Sequence, residues 1–94
     1  MLACMREASR KVRGGKLVKL RFDEESRRVT IHGDFFLHPE ECVFALEDLL
    51  SGIPPSRGEE EVASRITALL QELDAQPIGF SARDLASLFM EVIG

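Results

Sequence analysis

Lys16-Leu17-Val18-Lys19-Leu20-Arg21-Phe22 and, after a polar turn, Arg28-Val29-Thr30-Ile31-His32 form the stretch on which the fold turns. In the first run Val18, Leu20 and Phe22 alternate with Lys19 and Arg21; in the second Val29 and Ile31 flank Thr30. Apolar residues two apart fall on one side of an extended chain, so each run is a strand with one core face and one wet face. Asp23-Glu24-Glu25-Ser26 is the turn between them, and the pair is a hairpin. Gly33-Asp34 breaks the alternation, after which Phe35-Phe36-Leu37 is read as a short third strand.

Moving outward toward the C-terminus, the period changes from two to 3.6. Pro39 is placed at the first helical position, with Glu40 and Glu41 complementing the positive helix start. Cys42, Leu46, Leu49, Leu50 and Ile53 then follow helical spacing until Gly52 and Pro54-Pro55 close the segment. A second helix begins between Ser56 and Glu59, places Val62, Ile66, Leu69, Leu70 and Leu73 on one face, and is stopped by Pro77. The third opens with Ser81-Ala82-Arg83-Asp84, a capping box with Asp in place of Glu, and buries Leu85, Leu88, Phe89 and Val92. Strands first and helices afterwards predict an α+β fold: a small antiparallel sheet of two to three strands, followed by three helices packed on one face. Toward the N-terminus no alternation is visible. The expected organisation is a single domain, 1–94, with a flexible basic tail at 1–13, the sheet at 14–37 and the helices at 39–94.

Ninety-four residues, 45% of them hydrophobic, suffice for one compact core but leave little room for a deep substrate cavity. No apolar stretch approaches the roughly 20 residues that cross a bilayer, and residues 1–13 lack the apolar segment of a signal peptide. A cytoplasmic location without membrane attachment is therefore expected. Cys4 and Cys42, with no secretory context, are expected to be free thiols. The net charge of −4 conceals a division: residues 1–33 carry nine Lys/Arg against four Asp/Glu, and residues 34–94 carry three against twelve. Arg6, Arg10, Lys11, Arg13, Lys16, Lys19 and Arg21 make a basic arm suited to phosphates or an acidic protein surface, or simply to a solvated strand edge. Only Phe22 and Phe35-Phe36 lie near these cations, too few aromatics for a base-stacking platform, so nucleic acid is not an expected partner.

Two stretches carry the remaining chemistry. In Lys11-Val12-Arg13-Gly14-Gly15-Lys16 the glycine amides can approach an anion and Lys16 can add a charge, although the same glycines also suit a plain flexible turn. The spacing is not that of a Walker loop, and a strand follows instead of a helix. His32-Gly33-Asp34-Phe35-Phe36-Leu37-His38-Pro39-Glu40 gathers two histidines, two acids and two aromatics. His32, His38, Asp34 and Glu40 are possible metal ligands, but no helical histidine pair or thiolate pair supports zinc, and no metal is expected. The alternative structural roles are Asp34 satisfying buried amides at the turn, Phe35 or Phe36 filling the core, and His38 at a cap position. Cys42 at a helix start has the setting of a nucleophile, but its place on the apolar stripe suits a buried, inert thiol. No independent catalytic constellation is present.

Gly14-Gly15-Lys16-Leu17-Val18, then Gly33-Asp34-Phe35-Phe36-Leu37 with Pro39-Glu40, then Leu46-Glu47 and Leu50, together resemble the C-terminal accessory domain of lipoate-protein ligases. The likeness is clearest over about residues 11–53 and extends weakly to Ser81–Val92, and it is greatest to versions in which this domain is a separate small protein. Arg13 stands where the family pattern commonly has proline. The resemblance implies a non-catalytic subunit that partners a catalytic lipoate-protein ligase subunit and is required when that subunit activates lipoate to lipoyl-adenylate. ATP, Mg and lipoate would sit in the partner's active site, with none bound tightly here, and lipoyl-domain acceptor proteins would be indirect partners. Gly14, Gly15 and Lys16 would contact ATP or the adenylate, while Gly33, Asp34, Phe35 and Phe36 would form the interface motif. The family fold is also similar to that of sulfur-acceptor and iron–sulfur assembly scaffold proteins, an alternative that would need a reactive Cys4 or Cys42.

Overall fold

A computed structural model of the chain describes residues 5–11 and 16–93. The elements are β1 (Met5–Lys11), β2 (Leu17–Asp23), β3 (Arg28–Gly33), β4 (Phe36–His38), α1 (Cys42–Gly52), a 3-10 turn (Pro55–Arg57), α2 (Glu59–Glu72), β5 (Gln76–Ile78) and α3 (Ala82–Ile93). β1, β2 and β3 form an antiparallel sheet in that order, while β4 and β5 form a separate two-stranded antiparallel ribbon. With three helices beside them, this is the α+β fold expected from the pattern.

The alternation of β2 and β3 sends Val18, Leu20, Phe22, Val29 and Ile31 into one continuous core. α1 packs on β3, α3 packs on β1 and β2, and α2 packs on α3. Leu46 and Leu50 of α1, Val62 and Ile66 of α2, and Leu85, Leu88 and Phe89 of α3 close that core at the spacings predicted. The Ser81 capping box forms reciprocally: the Asp84 amide donates to Ser81 Oγ at 3.1 Å, and the Ser81 amide to Asp84 Oδ2 at 3.1 Å. In the first turns of α2 and α3, Arg83 binds Glu59 and Glu60. Its hydrogen bond, and then its charge, hold the Glu60 carboxyl below its ordinary pKa.

Three elements differ from the expectation. Met5–Lys11, assigned to a flexible tail, is strand β1, paired along its length with β2. It lacks apolar alternation because it is an edge strand. Opposite Phe22, Leu20 and Val18 it sets Arg6, Ala8 and Arg10. Arg6 donates to the Ile93 carbonyl at 3.0 Å, and Arg10 to Ser87 Oγ at 2.7 Å and Glu91 at 2.9 Å. The guanidinium groups thus stay polar while their stems border the core. Pro39 is not the first residue of a helix. It stands in the turn before α1, after a cis peptide bond to His38, and the carbonyls of Pro39, Glu40 and Glu41 accept from Cys42, Val43 and Phe44 at 3.1 Å. Finally, Pro77 lies in a strand, β5, inside the region read as purely helical. A two-stranded ribbon leaves one side of each strand without a ladder partner, so a residue with no N–H is accommodated.

The sheet is finished differently along its two sides. At the β3 edge, the Val29 amide donates to Ser51 Oγ at 2.9 Å and the Ile31 amide to the Glu47 carboxylate at 2.8 Å. Glu47 is only 8% exposed, and Ser51 in turn donates to its backbone carbonyl at 2.7 Å. α1 therefore supplies the acceptors that a fourth strand would have offered.

Candidate functional site at the β4–β5 corner

The two sequence motifs meet where β2 begins and β3 ends. Val18 is paired with Gly33, and the Asp34 amide donates to the Leu17 carbonyl at 2.8 Å. Gly33, at φ 143°, lies so close to β2 that a Cβ there would run into that carbonyl oxygen. This close approach carries the chain directly from β3 toward the ribbon, where Phe36 faces Ile78, Leu37 faces Pro77 and His38 faces Gln76. β5 runs into Gly79, at φ 98°, whose bare backbone lies under the Lys16 side chain. A methyl there would come within 3.2 Å of Lys16 Cγ and 3.5 Å of Phe35 Cα.

Lys16, Gly33, Asp34, Phe35 and Phe36 are therefore brought to one corner, together with Gly79, which sequence reasoning did not single out. The Pro77-Ile78-Gly79-Phe80 run between two helices was the available signal. Gly14 and Gly15 lie outside the described residues. Lys16 is exposed, and among the described residues its ammonium makes no ion pair.

The two adjacent phenylalanines take different environments. Phe35 is half-buried against the core and meets Phe80 edge to face, with centroids 5.0 Å apart and planes at 77°. Phe36 is 61% exposed, and its partner Ile78 is 54% exposed. Beside Phe36 an open cleft of about 330 Å³ is lined by Ile31, Phe35, Leu37 and Val43, with His32 and Glu40 as its polar side chains.

The structural roles considered for Asp34 and His38 are not the ones found. Asp34 is exposed and bonds through its own amide, and His38 ends β4 while Glu41 holds the cap position of α1. His32 is exposed, 3.2 Å from Thr30 Oγ1 through Nε2. Among the described residues no three His, Cys, Asp or Glu side chains group as metal ligands. Cys42 is a buried free thiol in the core cluster, and Cys4 lies outside the described residues. Much of the basic arm is engaged within the molecule: besides the Arg6 and Arg10 contacts to α3, Arg6 pairs with Glu24 and Arg21 with Glu7, both at 3.0 Å.

Over 94% of its length the chain superposes on 97% of a chain from an archaeal lipoylation system of Thermoplasma acidophilum, described as a bi-partite lipoate protein ligase and its E2 lipoyl domain. The TM-score is 0.69 and the sequence identity 23%. The chain shares the fold of that protein. No family model matches the chain, and no curated protein does. Among the described residues no helix is long and apolar enough to cross a membrane.

The fold presents the exposed Phe36 and Lys16 at the same corner, beside an open cleft. Such a corner can contribute a positive charge and an apolar contact to a site completed by another molecule.

Proposed function

We propose that this chain is the accessory subunit of a two-component lipoate-protein ligase, required when a separate catalytic subunit converts lipoate and ATP to lipoyl-adenylate. The observation that carries the reading is the near end-to-end likeness to a chain of a bi-partite lipoate ligase system, which spans 94% of this chain and 97% of that one. The meeting of Lys16 with Gly33-Asp34-Phe35-Phe36 supports the same reading, since those are the segments that resemble the ligase accessory domain.

In adenylation a carboxylate oxygen of lipoate attacks the α-phosphorus of ATP and the bond to pyrophosphate breaks. Negative charge grows on the α-phosphate and on the departing pyrophosphate. A lysine whose stem is held against the Gly79 backbone is restrained near its base and free at its ammonium, so it can reach across a subunit boundary toward that charge. Phe36 supplies apolar contact at the boundary, while Phe35 holds the corner to its own core.

The sulfur-acceptor alternative has less support at Cys42, whose thiol is buried in the core cluster. The deciding experiment mixes this chain with a catalytic subunit encoded in the same genome and follows pyrophosphate release. Stimulation of adenylation is expected, and Lys16→Ala should lower the stimulated rate by roughly ten- to a thousandfold with subunit binding preserved. Equal adenylate formation with and without the chain would remove the accessory role. An unchanged rate for Lys16→Ala in the assembled complex would return that lysine to the surface.

A further inference from the structure

We infer that the cleft between β4 and the start of α1 is a socket for one large apolar side chain of the catalytic subunit, presented on a surface with a basic rim. The inference rests on the accessory-subunit reading and adds to it the chemistry of the partner's contact surface.

Three observations converge. First, Phe36 and Ile78 are directly opposed on the ribbon and each is more than half exposed, and Phe44 of α1, next to the cleft-lining Val43, is 65% exposed. A two-stranded ribbon gains little stability alone, and apolar side chains on its wet side gain nothing from burial until another surface covers them. Second, the cleft beside Phe36 sets the apolar Ile31, Phe35, Leu37 and Val43 alongside the polar His32 and Glu40, and its volume of about 330 Å³ is enough for one aromatic or branched side chain. The apolar area continues outside the cleft onto Ile78, so the occupant is part of a surface and not a small enclosed ligand.

Third, the charged groups of the cleft lining and of the residues adjoining it are acidic, while Lys16 lies on the Gly79 side of the corner. Asp34 adjoins two lining residues, Glu40 is itself a lining residue, and Glu41 follows it. All three are exposed, and among the described residues none makes an ion pair. The basic arm is by contrast largely paired with carboxylates of its own chain. An apolar centre with an unpaired acidic rim is complementary to an apolar anchor flanked by Lys or Arg.

The test titrates the catalytic subunit with full-length wild type, with Ile78→Ser, and with the double variant Glu40→Lys and Glu41→Lys, measuring Kd by calorimetry at low and high salt and adenylation at saturation. Ile78→Ser should weaken association by about thirtyfold, as expected for an apolar anchor contact. The double reversal should weaken it by about tenfold and turn its salt dependence around, since salt would then screen repulsion instead of attraction. Glu72→Lys, half that charge change at an exposed position of α2 outside the cleft lining, should bind as wild type does. If the wild type binds and stimulates but both test variants match it in Kd and salt response, the socket is wrong and the accessory role stands. If the wild type neither binds nor stimulates, both fall. Should Ile78→Ser melt early, the double reversal on exposed residues decides alone.

Discussion

The three-stranded sheet and the two-stranded ribbon are built from equally ordinary strands, yet they treat their apolar side chains in opposite ways. On the sheet, Val18, Leu20, Phe22, Val29 and Ile31 are all buried beneath α1 and α3. On the ribbon only Leu37 is buried, and the opposed pair Phe36 and Ile78 faces outward. The contrast teaches that this small core is closed without the ribbon's outer side, whose exposed apolar surface adds little to folding.

The largest effect should therefore come from the sheet side. Phe89→Ala, which empties a fully buried ring position beneath the sheet, should cost about 3–5 kcal/mol in denaturant or thermal unfolding. Such a loss is a large share of the stability of a domain this size. A cost near zero would mean that the core is not closed as described.

Next comes the seam between sheet and α1. Glu47→Leu removes the acceptor of the Ile31 amide and should cost about 1–3 kcal/mol, whereas Glu47→Gln keeps an acceptor oxygen in place and should cost less. Equal losses in the two variants would show that the volume of the side chain matters and its hydrogen bond does not.

Phe36→Ala should lie well below both, within about 0.5 kcal/mol of wild type in unfolding, because an exposed ring has little burial to lose. A melt as depressed as that of Phe89→Ala would erase the distinction between sheet and ribbon.

The smallest effect is a pH response at the α2–α3 contact. Arg83 lowers the folded pKa of Glu60, so the pair's contribution is complete above the unfolded carboxyl pKa and is lost as pH falls through the lower folded value. Glu60→Gln should flatten this slight acid dependence of the melting temperature and leave neutral-pH stability almost unchanged, because both groups are solvent-exposed.

How far the fold was legible follows the same division. Period-two alternation in β2 and β3 and the 3.6 period of the helices were visible because each of those elements buries one face of its own. β1 was not, because its inward positions are Arg6, Ala8 and Arg10, and only pairing with β2 makes that run a strand. β5 was hidden behind Pro77, whose usual meaning is a stop. At the candidate corner, the Gly33-Asp34-Phe35-Phe36 motif and Lys16 stood out by composition, but their meeting depends on the Leu17 carbonyl and on Gly79, contacts between segments far apart in sequence. Nothing in the sequence distinguished Phe35 from Phe36. Phe80, beyond two helices, decides which ring turns inward.

The Ser51 and Glu47 contacts along β3 have a further consequence for how copies of this chain behave when crowded. Growth of a strand stack needs two receptive borders on every copy, one to join and one to be joined. Here the outward amides of Val29 and Ile31 are already taken by side chains of α1, and of the two borders of the three-stranded sheet only that of β1 is left uncapped among the described residues. Two copies meeting border to border along β1 would use up the available sites, so pairing of this sheet ends at two and does not propagate into a fibre.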